Sequence, residues 1–378
     1  MKTQNTHFDV IIVGGGLAGL CNAIHLSKFN KKVLLIEKNE YPKHKVCGEY
    51  ISNEVLPYLA FLEFNPFDFG AVKIDKFQLS TTNNQLISAE LPLGGFGISR
   101  YKLDFELLQK AIQNGVIIMQ DLVTNIQFIN DIFEVETKKN EHLTSKIVIG
   151  AFGKRSYLDV AMQRDFIQKK PPYLGVKIHV KGNFPNDLVA LHNFKGGYCG
   201  VSKVENNEIN LCYITNLSSF KKHKNIECFQ ENVVFKNRCL KEIFENSKSL
   251  FDEPLTISQI SFESKTLVEN HIIMCGDAAG MIHPLCGNGM SMAIQSAQIA
   301  SKLILNYLEG KILTRNALKN EYISKWNHQF KWRLKAGHFI AMLFRQDEIA
   351  NFLLQILRKL PFLLPTIIRQ THGKPLKN

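Results

Sequence analysis

The sequence predicts an α/β protein in which a Rossmann-like nucleotide-binding domain interlocks with an antiparallel β-sheet domain and ends in a helical carboxy-terminal region. Three observations predict it. A near-continuous apolar run, Phe8–Val13, leads directly into a glycine-rich turn, and a second run, Val33–Ile36, follows one helix length later. Between Tyr173 and Ile214 strand-like segments alternate with glycine-rich turns. Beyond about Met290 the apolar residues keep a helical spacing.

The elements follow in order. Phe8–Val13, apolar except for Asp9, has the near-continuous apolarity of a strand buried on both faces of a parallel sheet. Gly14–Gly19 turns into a helix that carries Leu20, Ala23, Ile24 and Leu26, and Asn30 stands where a helix can stop in the left-handed conformation. Val33–Ile36 ends at Glu37, so residues 8–37 make one βαβ unit of about the expected 30 residues. Leu103–Ile112 reads as a helix, and Val116–Met119, Phe133–Thr137 and Ile147–Ile149 read as strands. GVKIHV, LVALHNF and INLCYI form the antiparallel sheet. His271–Cys275 is another buried strand, followed by Gly276–Gly289 and a helix from about Met290 to Leu308. The remainder is mostly helical, with Pro361 and Pro365 as breaks. The expected nucleotide-domain segments are 1–75, 101–170 and 266–310, the sheet-domain segments 76–100 and 171–265, and the helical tail 311–378.

Composition narrows the class. A chain of 378 residues suits two domains, and 45% hydrophobic with 21% charged residues excludes disorder. Eight cysteines show neither a CxxC spacing nor a zinc-ligand pattern, no His and Asp/Glu set has metal-ligand spacing, and no secretion signal is recognised. The expectation is a reducing cytoplasm and no bound metal. No stretch of 18 apolar residues predicts a transmembrane span. The net charge of +12 is uneven: residues 301–378 hold fourteen Lys and Arg against four Asp and Glu. A basic tail rich in Leu, Ile and Phe, with no nucleic-acid motif, suggests peripheral contact with the inner face of a membrane; a solvated basic face is the plainer alternative.

The nucleotide motif is Gly14-x-Gly16-x-x-Gly19, with Leu17 and Ala18 inside it. The first glycine permits the tight turn, the second lets the backbone approach a pyrophosphate, and the third lets helix and strand pack closely. The helix start offers free N–H groups to phosphate. Glu37, eighteen residues after Gly19, ends the next strand, where a carboxylate can accept from ribose hydroxyls. This does not separate NAD from FAD. The distal Gly276-Asp277-Ala278-Ala279-Gly280, after a strand, leads to Pro284-Leu285-Cys286-Gly287-Asn288-Gly289 and a helix. An Asp at a strand end can hold a polyol hydroxyl, and a glycine-rich helix start can stabilise negative charge on a flavin ring.

With VIIVGGGLAGLCNA, Lys45-Val46-Cys47-Gly48-Glu49, Arg100 to Asp104 and GDAAGMIHPLCGNGMSMAIQSA, the chain resembles the FAD-dependent oxidoreductases that include geranylgeranyl reductases and aromatic-ring hydroxylases. The likeness is nearer the geranylgeranyl reductase branch and spans residues 8 to about 300. It implies an FAD-binding domain of the GR2 type. Gly14, Gly16, Gly19 and Glu37 would hold the ADP half, Arg100 the phosphate or adenosine region, and Asp277 the ribityl chain. Gly289 and Met290 would present N–H groups to the flavin O2 edge. Leu17, Ala18, Lys38, Lys45, Cys47, Gly48, Val123, Gly276, Gly287 and Asn288 would complete the groove. For Arg100 an ion pair with Asp104 at i+4 is the plainer role. Two departures count: Phe152 replaces the acid of the hydroxylase Ala-Asp-Gly motif, and the only tryptophans, Trp326 and Trp332, do not form the halogenase motif, which disfavours halogenation.

Cys47 is the sharpest catalytic candidate. Reducing a C=C bond takes a hydride on one carbon and a proton on the other, and a thiol beside the Lys45 ammonium can give that proton; lining the site is its plainer role. Tyr198, His283 and Pro284 are candidates for substrate contact, with packing as the alternative. Ile349, Phe352, Leu353, Ile356, Leu357 and Leu360 recur at helical spacing beside Arg358 and Lys359, as expected of a lipid tunnel, a membrane-facing helix or a helix closing the core. The expected function is therefore an FAD-dependent oxidoreductase supplied by NAD(P)H or another reduced donor. Its expected substrate is lipophilic, isoprenoid or alkyl-phenolic, with C=C reduction ahead of hydroxylation by a monooxygenase of aromatic or polyketide-derived substrates. A non-catalytic lipid or escort protein is the rival class, which the intact glycine motifs oppose.

Overall fold

The computed structural model describes residues 6–169, 171–344, 347–360 and 362–376. Its first layer grows from the strand Thr6–Val13, in which Val10, Ile11 and Ile12 have no exposed surface. That strand pairs in parallel with Val33–Glu37 on one side and His142–Gly150 on the other, placing Ile11 opposite Leu34 and Val148. Ile117–Gln120 and Ile272–Met274 extend the parallel sheet outward. The helix Leu17–Lys28 makes the first crossover and is buried from Leu17 to Leu26, packed against the helices Arg100–Gln113 and Gly289–Leu308. Covered strands of this kind must be apolar at successive positions, because both faces leave water.

The second layer is a nine-stranded sheet. Tyr173–Lys181, Ile209–Asn216, Gly197–Lys203 and Leu188–Phe194 are antiparallel neighbours in that order. Leu188–Phe194 then pairs in parallel with Val72–Ser80, an exception to the antiparallel expectation that arises because the two strands belong to separate excursions of the chain. Leu86–Gly97 and the short strand Tyr50–Ser52 close that edge.

Local chemistry sets the element ends. The helix expected from Leu103 starts at Arg100, because Ser99 Oγ accepts the Lys102 N–H at 3.0 Å and caps it. Asn30 does adopt the left-handed conformation, with φ +56°. Pro365 does not break its helix: it lies in the first turn of Leu363–Thr371, where no backbone N–H is needed. Pro361 lies outside the described residues. With Arg315–Phe344 and Asp347–Lys359, this helix folds over the second sheet, and Leu354, Leu357, Leu364 and Ile368 share one apolar cluster with Leu79, Leu91, Val189 and Leu191. Among the described residues no helix is long and apolar enough to cross a membrane.

Candidate functional site

The glycine turn is shaped by what cannot fit beside it. Gly14 has φ +109°, and a Cβ there would run into the Ala151 carbonyl; one on Gly19 would run into the Gly14 carbonyl. Gly16 differs, since a Cβ there would meet nothing nearer than Arg100 Nη2 at 3.6 Å, so this glycine faces an open groove. Glu37 closes the turn: its Oε2 accepts the Gly15 N–H at 2.7 Å and its Oε1 the Asn39 N–H at 2.9 Å. The Tyr41 hydroxyl donates to the Gly15 carbonyl from the far side.

Arg100 combines the two roles that the sequence leaves open. Its Nε and Nη2 donate to the two Asp104 oxygens at 2.7 Å each, and it also lines the groove beside Gly16. Lys45 Nζ donates to the same Asp104 at 2.7 Å. Burial would push the Asp104 carboxyl up, but Arg100 and Lys45 outweigh it and hold the group below its ordinary range. The Lys45 ammonium is thus spent on Asp104, which corrects the expectation that it lowers the Cys47 thiol. Burial pushes that thiol up, with Arg100 pulling it down and the Glu49 carboxylate pushing it further up.

The distal wall comes from the end of Ile272–Met274. Gly276 has φ +61°, and Asp277 faces the groove. Burial raises the Asp277 carboxyl against the opposing pull of Lys265, Arg100 and Lys154. These two lysines were not legible in the sequence. Lys265 Nζ donates to the Lys154 and Asp277 carbonyls at 2.7 Å each, Lys154 Nζ donates to the Ser258 carbonyl at 2.7 Å, and burial brings both ammonium groups down to about 8. Beyond Gly287, at φ +63°, the helix Gly289–Leu308 begins at the cavity wall, with Asn288, Gly289 and Met290 lining it.

All of these walls belong to one cavity of about 1340 Å³. Of the residues the sequence singles out for the nucleotide groove, Gly14, Gly16, Leu17, Ala18, Glu37, Lys38, Lys45, Cys47, Gly48, Arg100, Val123, Gly276, Asp277, Gly287, Asn288, Gly289 and Met290 line it. Gly19 sits behind the turn, consistent with close packing of helix on strand. The same cavity is lined by apolar side chains as well, among them Leu79, Leu191 and Tyr198 of the second sheet and Leu353, Ile356 and Leu357 of the tail. Pro284 and Cys286 line it as well. His283 does not: it is buried among the rings of Phe262 (4.7 Å between centroids), Tyr173 and Tyr198, and its Nδ1 accepts the Leu285 N–H at 3.4 Å. The tail stripe also divides, since Phe352 and Leu360 point outward at 62% and 41% exposure.

The groove fits FAD in its polar chemistry. A carboxylate stands at one end, a backbone turn open at Gly16 lies beside a guanidinium in the middle, and a helix amino terminus stands at the other. Residues 9–45 match the family described as FAD binding domain, and residues 238–346 match the family described as squalene epoxidase. The chain is 24% identical over 371 residues to conditioned medium factor receptor 1 of Dictyostelium discoideum, covering 89% of this chain and 69% of that protein. It is 24% identical over 339 residues to digeranylgeranylglycerophospholipid reductase 3 of Methanosphaera stadtmanae, covering 82% and 80%. In fold it is similar to a flavin-dependent brominase, with a TM-score of 0.79 at 17% identity over 96% of this chain and 93% of the other.

Proposed function

The chain is an FAD-dependent oxidoreductase, and from that premise we propose that it reduces a carbon–carbon double bond in a lipophilic, isoprenoid or alkyl-phenolic substrate, with Cys47 as the proton donor. The observation that carries the reading is the place of Cys47, which lines the same cavity as the nucleotide groove and as the apolar side chains Leu79, Leu191 and Leu353; burial pushes its thiol up against the pull of Arg100. A proton donor must still hold its proton when the substrate arrives, and an exposed, activated thiolate would not.

Bound and reduced, FAD supplies the hydride. The chain's own residues do the rest. Gly16 and Arg100 would hold the pyrophosphate, Glu37 the ribose hydroxyls and Asp277 the ribityl chain, and the N–H groups of Gly289 and Met290 would receive negative charge. Lys154 and Lys265 add positive charge around Asp277. Leu79, Leu191, Leu353 and Leu357 exclude water and hold an apolar substrate by burial. Cys47 gives its proton to the second carbon and recovers one from solvent.

The outer face of the tail supports delivery of such a substrate from a membrane. Trp332, Phe339, Phe352 and Phe362 are 58 to 66% exposed, close in sequence to Lys331, Arg358 and Lys359, and Trp332 and Phe339 also line the cavity. The test is product mass after incubation with a prenyl lipid and a reduced nicotinamide donor, with and without oxygen. A gain of two hydrogens per double bond without oxygen is expected; a product that gains one oxygen and forms only in air would establish hydroxylation instead.

A further inference from the structure

The segment from Lys45 to Glu49 is stitched to the second sheet by two neighbouring strands. Their register sets Lys177 opposite Cys212 and His179 opposite Asn210, so these four side chains stand on one face of the sheet. That face meets the segment. Lys177 Nζ donates to the Lys45 carbonyl at 3.2 Å and to Glu49 Oε1 at 2.5 Å. His179 Nε2 lies 2.7 Å from Glu49 Oε2, while its Nδ1 lies 3.1 Å from Glu208. Asn210 Nδ2 donates to the Cys47 and Gly48 carbonyls at 3.2 and 2.9 Å. From the nucleotide side, the Arg100 N–H donates to the same Glu49 Oε1 at 2.7 Å. The side chains of Glu49, Lys177 and His179 have no exposure, and Glu49 has φ +54°, in the left-handed region that favours glycine.

A buried ion pair is costly and is poor evidence of stabilisation alone. Here it sits one residue from Gly48 and two from Cys47, with its carboxylate bonded to both layers of the protein. We infer that Glu49 and Lys177 are positioning residues that hold the Cys47 thiol at the cavity wall and set, with opposite sign, the electrostatic potential it feels. The groups acting on that thiol are Arg100 at the start of its helix, Glu49 in its own segment, and Lys177 on the sheet; burial raises the thiol, Arg100 and Lys177 lower it, and Glu49 raises it. Cys212 lies alongside and interacts with Cys47, and Asp104 pairs with both Arg100 and Lys45. The inference rests on the reading of Cys47 as proton donor, but its test involves no turnover.

The test is the rate of iodoacetamide alkylation of Cys47 in the FAD-loaded protein, located by peptide mapping across a pH series. Glu49→Gln removes the negative neighbour and should speed alkylation at pH 8 about tenfold, while Lys177→Met removes the positive one and should slow it by a similar factor. Glu49→Asp and Lys177→Arg keep the charges and should stay within about twofold of the wild type. A merely structural role would loosen the segment in every variant and speed alkylation in all of them. Rates that move in one direction for both charge-removing variants, or charge-keeping variants that change as much, would overturn the inference. Should the charge-removing variants lose FAD, the charge-keeping pair alone decides, because a purely structural role makes them react faster. If Cys47→Ala retains full turnover, the proton-donor reading falls while the alkylation result stands.

Discussion

The Glu37 carboxylate accepts the Gly15 N–H at 2.7 Å, so the end of the second strand is bonded to the middle of the glycine turn. Glu37 and Gly16 line the same groove, which Gly16 leaves open. Gly16→Val would fill that groove, and the variant is expected to purify without flavin. Glu37→Ala removes a charge-assisted acceptor worth about 1.5–3 kcal/mol, so FAD affinity should fall roughly 10- to 100-fold. Flavin absorbance after desalting and fluorescence titration with FAD measure both. Full FAD occupancy in Gly16→Val would contradict the assignment of the groove.

Cys47→Ala should bind FAD and accept electrons normally, yet form product at least about 10²-fold more slowly, the usual effect of losing a general acid. Flavin reduction and product formation, followed separately in stopped flow, distinguish these steps. Turnover near that of the wild type in the Ala variant would leave Cys47 as lining.

Stability should depend on two histidines buried in the neutral form. His25 Nδ1 lies 2.8 Å from the Tyr58 hydroxyl and His192 Nδ1 lies 2.8 Å from Ser80 Oγ; burial lowers them to about 3 and about 4, with Lys302 and Lys28 adding to the effect on His25. A folded pKa below the unfolded value means that the unfolded chain binds the extra proton as pH falls below about 6.5. Each histidine therefore supplies stability that is complete above that pH and declines by about 1.4 kcal/mol per pH unit below it. Glu54 and Asp277, raised by burial, work in the opposite sense, so the comparison is between variants. In urea unfolding at pH 7.5 and 5.5, His25→Leu should lose about 1.4 kcal/mol less than the wild type. Equal losses would mean that His25 is not held neutral.

The tail should bind anionic vesicles more tightly than neutral ones, and less tightly as salt rises. Each basic side chain near such a surface contributes about 1 kcal/mol, screened over about 10 Å at 0.1 M salt. Arg358 and Lys359 are both exposed at the end of their helix. Changing both to Glu should weaken vesicle sedimentation roughly tenfold or more without releasing FAD. A wild-type protein that ignores anionic vesicles at low salt would remove the membrane from the account and leave the tail as a roof alone.

The nucleotide end was legible because its determinants are consecutive. Val10 to Val13, the three glycines and Glu37 lie within one βαβ unit, and each position has a local reason for its residue type. Asn30 could be read for the same reason. The clamp of Lys177, His179 and Asn210 on the Lys45–Glu49 segment could not, since its halves are separated by more than 120 residues and meet only when the two sheets pack. Lys154 and Lys265 escaped likewise, joined across 111 residues from segments without a period. His283 does not line the cavity but lies among the rings of Phe262, Tyr173 and Tyr198, a packing made by residues distant in sequence that spacing does not signal. The apolar residues from Ile349 to Leu360 do not share one environment: between Phe352 and Leu357 the helix turns enough to expose the first and bury the second.

The most direct measurement of the central claim is a single turnover in deuterated water without oxygen. The protein is reduced by dithionite, the excess is removed, and an unsaturated prenyl lipid is added while flavin absorbance is followed. The account predicts that the flavin reoxidises in step with loss of one double bond, that the product carries solvent deuterium on the carbon protonated by Cys47, and that Cys47→Ala slows this phase. Flavin that stays reduced with a panel of such lipids until oxygen is admitted, and then yields an oxygenated product, would contradict it.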